Sequence, residues 1–398
     1  MQVEDHAGFE YCRDSGGKRI GRIFVGKFDG DSDIIRIMQN RNPHSWHKLA
    51  QSIRTWAHEL GFRATGIADT DLSQAEAGLL QWLSHGFNGR MDYMAKHGVK
   101  RSRPAELVPG TLRVISVRMD YLPDNIRKGE EVLRQTDRGY ISRYALGRDY
   151  HKVMRNRLAQ LAERIRAEVA EFEGRVFTDS APVMEVALAC KAGLGWRGKH
   201  TLLLSRDAGS WFFLGEIYVN LPLPVDEASQ SHCGGCVRCI ESCPTGAIVA
   251  PYRLDARLCI SYLTIELDGS IPVELRPLIG NRIYGCDDCQ MVCPWNRFAQ
   301  ISAEPDFAAR HELDDAKLVD LFAWDQDMFR TRTAGSAIHR IGHERWLRNI
   351  AVALGNADAS DLIVAALQSR ASDPSALVRE HVSWALQRQA SSGLAAPR

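Results

Sequence analysis

The sequence predicts an α+β protein in three parts: a mixed domain of α/β type over residues 46–225, a small cysteine-rich domain over 226–300 and an all-α domain over 301–398. Three observations predict it. Up to about residue 225, apolar strand-like runs alternate with amphipathic helical stretches. Eight of the ten cysteines then crowd into the 61 residues from Cys233 to Cys293. Beyond them only helical periodicity remains. A chain of 398 residues can build two or three cores, and 45% hydrophobic with 25% charged residues is an ordinary globular balance.

Residues 1–45 are charged and glycine-rich with no sustained period, and Met38 lies inside them, so they read as a disordered extension or a start-site artefact. In WHKLAQSIRTWAHELGF, Leu49, Ile53, Trp56 and Leu60 recur at helical spacing, and Gly61 is a natural C-cap. TLRVISVRMDYLP (111–123) reads as a buried strand. HKVMRNRLAQLAERIRAEVAEFEG (151–174) reads as a long helix with Val153, Leu158, Leu161, Ile165, Val169 and Phe172 on one face. RVFTDSAP and the 200–219 segment supply further strands. Near the C-terminus, RWLRNIAVALGN and a helix broken at DPSA resemble one HEAT-like helical unit, which must stack on something else to bury its face. No apolar run reaches the about 18 residues of a membrane span, and WFFLGEIYV is strand-like. With a formal net charge of +1, any polyanion must be met by a local basic patch.

The cysteines carry the chemistry. Cys233-x2-Cys236-x2-Cys239-x3-Cys243-Pro has the spacing of bacterial two-cluster ferredoxins, in which the fourth cysteine serves the other cluster. Cys286-x2-Cys289-x3-Cys293-Pro repeats it, with Cys259 as the missing member. The crossing rule gives one [4Fe–4S] cluster Cys233, Cys236, Cys239 and Cys293, and the other Cys243, Cys259, Cys286 and Cys289. Structural zinc also uses paired C-x2-C, but has no use for the third cysteine and the Cys-Pro end. Such crowding in a large chain without a signal core points to metal in a reducing compartment, the cytoplasm. Cys190, in an apolar ALAC stretch, reads as a buried hydrophobe. No G-x-G-x-x-G follows a strand, so a Rossmann nucleotide site is unsupported.

SRYALGRDYHKVMRNRL (142–158), FTDSAPVMEVALACKAGLGWRGKHTLLLSRDAGSWFFLGEI (177–217), IGNRIYGCDDCQMVCPWNR (279–297) and RIGHERWLRNIAVALGNA (340–357) closely resemble the epoxyqueuosine reductases, over about residues 46–390. That family is similar in its catalytic half to reductive dehalogenases. The resemblance implies two [4Fe–4S] clusters, base-off cobalamin, and removal of the epoxide oxygen from epoxyqueuosine at the wobble position of a tRNA with a GUN anticodon. It implies a monomer, fed by a flavodoxin- or ferredoxin-type donor. The common cobalamin signature D-x-H-x-x-G is incomplete, since Asp149-Tyr150-His151 is followed three residues on by Met154. This agrees with a cobalt that takes no protein histidine.

By context alone, Asp179 in FTDSAP reads as a cap at a strand–helix turn. The resemblance implies instead the general acid, a carboxyl kept protonated near neutrality by an apolar pocket. It also implies that Arg101, Ser142, Asp149, His151, Leu203, Ser205, Leu214, Ser261, Gly285, Asp287 and Asp288 lie at the cobalamin. Asp149 equally suits the N-terminus of the helix that follows. Arg330, Arg332, Arg340, Arg345 and Arg348, with His339, His343 and Trp346 among them, have the composition of a tRNA contact, or of an ordinary helix surface. Two rivals are a small-molecule reductive dehalogenase and a non-catalytic electron-transfer protein. The density of motifs over 142–217 and the C-terminal helical region argue against both.

Overall fold

The computed structural model describes residues 9–13, 19–24, 43–124 and 127–393. Of the expected N-terminal extension, it describes an antiparallel hairpin, β1 (Phe9–Arg13) and β2 (Arg19–Phe24), with Phe9 opposite Phe24. The rest up to residue 42 lies outside the described residues. Helix α1 (Pro43–Glu59) opens on a proline, whose missing N–H costs nothing in a first turn, and buries Trp46, Leu49, Ile53 and Ala57. Gly61 takes the left-handed conformation (φ +90°) and ends the turn that follows, and a second helix, α2 (Ser73–Ser84), lies further along the chain.

Four strands form the central sheet: β3 (Ala64–Ala68), β4 (Arg113–Asp120), β5 (Gly174–Thr178) and β6 (Phe212–Val219), in the order β3-β4-β6-β5. Every pairing is antiparallel. The expected α/β-type domain is therefore corrected to an antiparallel α+β arrangement. The cause of the misreading is burial. All eight residues of β6 and seven of the eight in β4 are buried, and a strand covered on both faces reads as a continuous apolar run whatever its neighbours' direction.

The register places Ile67, Ile115 and Ile217 in a row on the face that packs against α1 and α3 (Tyr150–Glu168). The next row, Gly66–Ser116–Glu216–Phe177, lies on the opposite face, which is covered by α4 (Glu185–Lys191). A Cβ on Gly66 would come within 1.9 Å of the Ala192 carbonyl oxygen, so the chain leaving α4 presses directly on the sheet. The helix expected over 151–174 ends at Glu168. Val169 turns extended so that the chain can enter β5 at Gly174, yet Val169 and Phe172 stay in the core.

The cysteine-rich part is loops and short turns, including α5 (Arg238–Glu241), a π-helical turn at Tyr262–Glu266 and α6 (Asp288–Met291). A parallel pairing of Tyr140–Ile141 with Arg282–Tyr284 stitches it to the first domain. The C-terminal helices include α7 (Leu318–Phe322), α8 (Gln326–Arg332), α9 (Gly342–Asn356), α10 (Asp361–Gln368) and α11 (Ala376–Gly393). The chain breaks between α10 and α11 at DPS, as expected. Their apolar face is closed by Ile141, Ala145, Leu146, Ile283 and Tyr284 from the two preceding parts. No helix among the described residues is long and apolar enough to cross a membrane.

Candidate active site

Cys233, Cys236, Cys239 and Cys293 line one cavity of about 240 Å³, together with Lys199, His200 and Trp295. Gly234 supplies the positive φ the loop needs, and Lys199 Nζ pins it by donating to the carbonyls of Gly234 (2.7 Å) and Cys236 (2.9 Å). Cys236 is exposed and Cys239 buried. Desolvation, then the field of Cys293, Cys233 and Cys236, pushes the Cys239 thiol up to about 11.

Cys243, Cys259, Cys286 and Cys289 line a second cavity of about 450 Å³. Burial first, then Cys259, Asp287, Cys243 and Cys239, raises the Cys289 thiol well above its ordinary value. His200 lines both cavities, so the two sets adjoin. Thiols that burial and mutual repulsion keep protonated need positive charge among them to become thiolates, and iron–sulfur cores supply it. Among the described residues no group of three His, Cys, Asp or Glu converges as for a single metal ion. Each cysteine set surrounds a cavity instead.

Asp179 opens into the second cavity, directly after β5. It does not cap α4, whose N-cap is Met184 with no side-chain bond. Its carboxylate accepts a short hydrogen bond from Tyr150 Oη, and its Oδ2 lies 3.4 Å from His151 Nε2. Tyr150 is held by stacking on Phe213, with ring centroids 4.0 Å apart. Behind it, His151 Nδ1 lies 2.8 Å from Asp149 Oδ1, and Arg340 Nη2 donates to both Asp149 oxygens at 3.0 Å.

The electrostatics correct one expectation. Desolvation raises the Asp179 carboxyl, but the hydrogen bonds from His151 and Tyr150 and the charges of His151 and Arg340 outweigh it, so its pKa lies below the ordinary range. Burial disfavours the His151 imidazolium, but Asp149 and Asp179 overcome that and raise its pKa. The two shifts run in opposite directions, so Asp179 is the anion of the pair and a proton shared between them is favoured on His151. The carboxyls held neutral are neighbours. Burial, then Asp179 and Glu216, drives Glu185 well above its ordinary value, and burial with Asp179 pushes Glu216 up to about 8.

The structure brings Ser142, Asp179, Leu203, Leu214, Ser261, Asp287 and Asp288 to the walls of this one cavity. Asp287 is fixed by donors from Ser142 Oγ (2.5 Å), Tyr140 Oη (2.7 Å) and the Arg143 amide (2.8 Å), and Asp288 by Arg282. Asp149 and His151 stand behind Asp179; Asp149 also caps α3. Arg101 is buried and lines an adjoining cavity of about 960 Å³ that shares Glu185, Val186, Thr201 and Leu254 with the second cavity. Its Nη2 donates to the Tyr93 carbonyl, and its Nε has no partner. Cys190 lines the adjoining cavity too, half-buried rather than fully enclosed as expected. Ser205 is a correction: it bonds Arg118 (2.8 Å) and Asp207 and faces a separate cavity.

The arginine segment is also revised. Arg348 is fully buried and Trp346 is core, stacked on Trp324, so neither can meet a polyanion. Arg345 spends its guanidinium on the carbonyls of Ile341, Ile265 and Arg340, and Arg340 is committed to Asp149. Arg330 and Arg332 remain exposed. Sequence reasoning passed over Tyr150, Glu185 and Glu216. Their only signal was placement, a tyrosine inside GRDYH and a glutamate inside each of two apolar runs, VMEVALA and FFLGEIYV.

Gly285 holds φ +70°, and a Cβ there would lie 2.6 Å from the Ser142 Cβ. Gly285→Ala is expected to cost about 1–3 kcal/mol through overlap and left-handed strain. Because Cys286 follows directly, iron content should fall together with the melting temperature, which iron analysis and thermal unfolding will read.

The family described as "Epoxyqueuosine reductase QueG, DUF1730" matches residues 101–180, and the "4Fe-4S double cluster binding domain" matches residues 232–296. The epoxyqueuosine reductase of Pseudomonas aeruginosa is 61% identical over 353 residues, covering 88% of this chain and 98% of the relative. That of Escherichia coli is 57% identical over 347 residues, covering 87% and 91%. The structure of the epoxyqueuosine reductase from Streptococcus thermophilus aligns with a TM-score of 0.78 at 27% identity over 88% of this chain and 91% of that one. A crystal structure of epoxyqueuosine reductase with an epoxyqueuosine-modified tRNA-Tyr stem loop aligns at 0.77 and 26% identity, covering 86% and 91%.

Proposed function

The chain belongs to the epoxyqueuosine reductases, and we propose that it removes the epoxide oxygen of epoxyqueuosine at the wobble position of a GUN-anticodon tRNA, leaving queuosine, in the cytoplasm. The observation that carries the reading is the second cavity, which a cysteine set and Asp179 line together. A relative solved with an epoxyqueuosine-modified stem loop supports the substrate.

Cobalamin fits the residues present. Leu203, Phe212 and Leu214 offer an apolar wall, Ser142 and Ser261 offer hydroxyls, and Arg101 brings an unpartnered Nε to the adjoining cavity. His151 is engaged by Asp149 and Asp179, which suits a cobalt without a protein histidine. When bound, cobalamin supplies a strongly reduced cobalt centre. The chain's own residues do the remaining work. Tyr150 and His151 orient Asp179 and hold one proton at His151 Nε2, from which it reaches the departing oxygen through Asp179. Cys236, exposed at the rim of the first cavity, marks the face where a flavodoxin- or ferredoxin-type donor delivers electrons, beside Arg238 and Arg297. Arg330 and Arg332 are the segment's remaining phosphate contacts.

Nucleoside digests of tRNA from cells lacking this protein, identified by mass spectrometry, test the reading. Accumulated epoxyqueuosine is expected; unchanged queuosine would overturn it.

A further inference from the structure

Opening an epoxide to an alkene breaks two C–O bonds, forms one C=C bond and releases the oxygen as water. The balance is two electrons and two protons for each substrate. The clusters account for the electrons, while the Tyr150–His151–Asp179 unit holds a single mobile proton. Resting on the reading above, the inference concerns the other proton.

Glu216 lies in the middle of β6 and is completely buried, and neither of its carboxyl oxygens has a hydrogen-bond partner. Ser116 sits directly opposite it in the β4–β6 register, with its Oγ also unpartnered, and Tyr218, two residues along on the same face, has a free hydroxyl. Above this polar island lies α4, which starts with Glu185. The Glu185 Oε2 is buried and unpartnered, and the residue lines both the Asp179 cavity and the adjoining one. A buried carboxylate without a donor is costly, by several kcal/mol in apolar surroundings, whereas a neutral carboxylic acid is tolerated. The ionisable groups coupled to the pair are Asp179, Tyr150 and Tyr218, and none of them is a cation.

We propose that Glu185, backed by Glu216, supplies the second proton of the deoxygenation to the cavity that Asp179 faces. Glu185 borders the reacting space, and Glu216 acts through it as a positioning and reloading group. Asp179 sets the order: burial and then its negative charge hold both glutamates neutral, so a proton leaves the pair more readily as that charge is quenched.

The test uses Glu185→Gln, Glu216→Gln and Glu185→Asp in the enzyme carrying its clusters and cobalamin. Infrared spectra at pH 7 are expected to show the carbonyl band of protonated carboxylic acids in the wild type, reduced in each Gln variant. In single turnover on epoxyqueuosine-containing stem loop, Glu185→Gln is expected to be about a hundredfold slower. Glu185→Asp should recover part of that loss, which a purely packing role would not produce. The wild-type rate should fall as pH rises through about 8, where Glu216 gives up its proton, and Glu216→Gln should lose that limb. Wild-type rates and pH profiles in both Gln variants, or an unchanged carbonyl band, would overturn the proposal. A wild type that leaves epoxyqueuosine intact would instead overturn the functional reading.

Discussion

Asp179→Asn is expected to lower single-turnover conversion of epoxyqueuosine by about a hundred- to ten-thousandfold, with cluster content and stem-loop affinity unchanged. Asn keeps the shape but removes the anion that raises the pKa of His151 and that accepts from Tyr150. The variant therefore loses the proton reservoir as well as the group at the cavity wall. Two further signatures follow. Glu185 and Glu216 lose the negative neighbour that raises them, so their carbonyl signal should shift to lower pH. The imidazolium of His151 should also titrate at lower pH, which NMR of ring-labelled protein can follow. Full turnover in this variant would remove Asp179 from the mechanism.

The second large effect is on stability. Arg348 is fully buried and donates to the carbonyls of Leu263 (2.8 Å), Leu267 (2.6 Å) and Gly269 (2.7 Å), while neighbouring Asn349 donates to Thr264 and Ile283. Burial, then Arg345, pushes its guanidinium down to about 9, so it remains charged at neutral pH. Arg348→Leu leaves three interior carbonyls without donors, at about 1–3 kcal/mol each, and the expected loss is about 3–5 kcal/mol. The carbonyls belong to the segment that follows Cys259, so visible absorbance from the second cluster should fall with the melting temperature. Arg330→Ala, on the exposed face of α8, should leave both within error. An Arg348→Leu protein as stable as the parent would show that α9 does not hold this segment.

The contrast between these two arginines shows what was legible in the sequence. The cysteines were readable because cluster ligation imposes short, fixed spacings, and their two sets meet at two separate cavities. The elements were readable from period and apolar content, as at α1 and β4. Strand direction was not, because a strand buried on both faces carries no alternation to betray it. Arg348 was misread because an arginine's composition is the same whether it meets water, phosphate or a backbone carbonyl. Only the packing of α9 on residues 263–269 decides. Asp179 lines the cavity of the second cysteine set, but the lowering of its pKa was not legible, since Tyr150 and His151 stand nearly thirty residues earlier and reach it only in the fold.

The interleaving of the cysteines has a consequence for how the protein matures. Cys293 completes the set begun at Cys233, although it belongs to the run that carries Cys286 and Cys289, and Cys243 completes the set of that later run. On the proposed ligation, neither half of the sequence therefore carries four thiols for one cluster. A nascent chain halted after Cys243 has three thiols for one site and a stray for the other. On that ligation, both groups are expected to become stable only when the later run has folded back over some fifty residues, which would make cofactor insertion a checkpoint on completion of the chain.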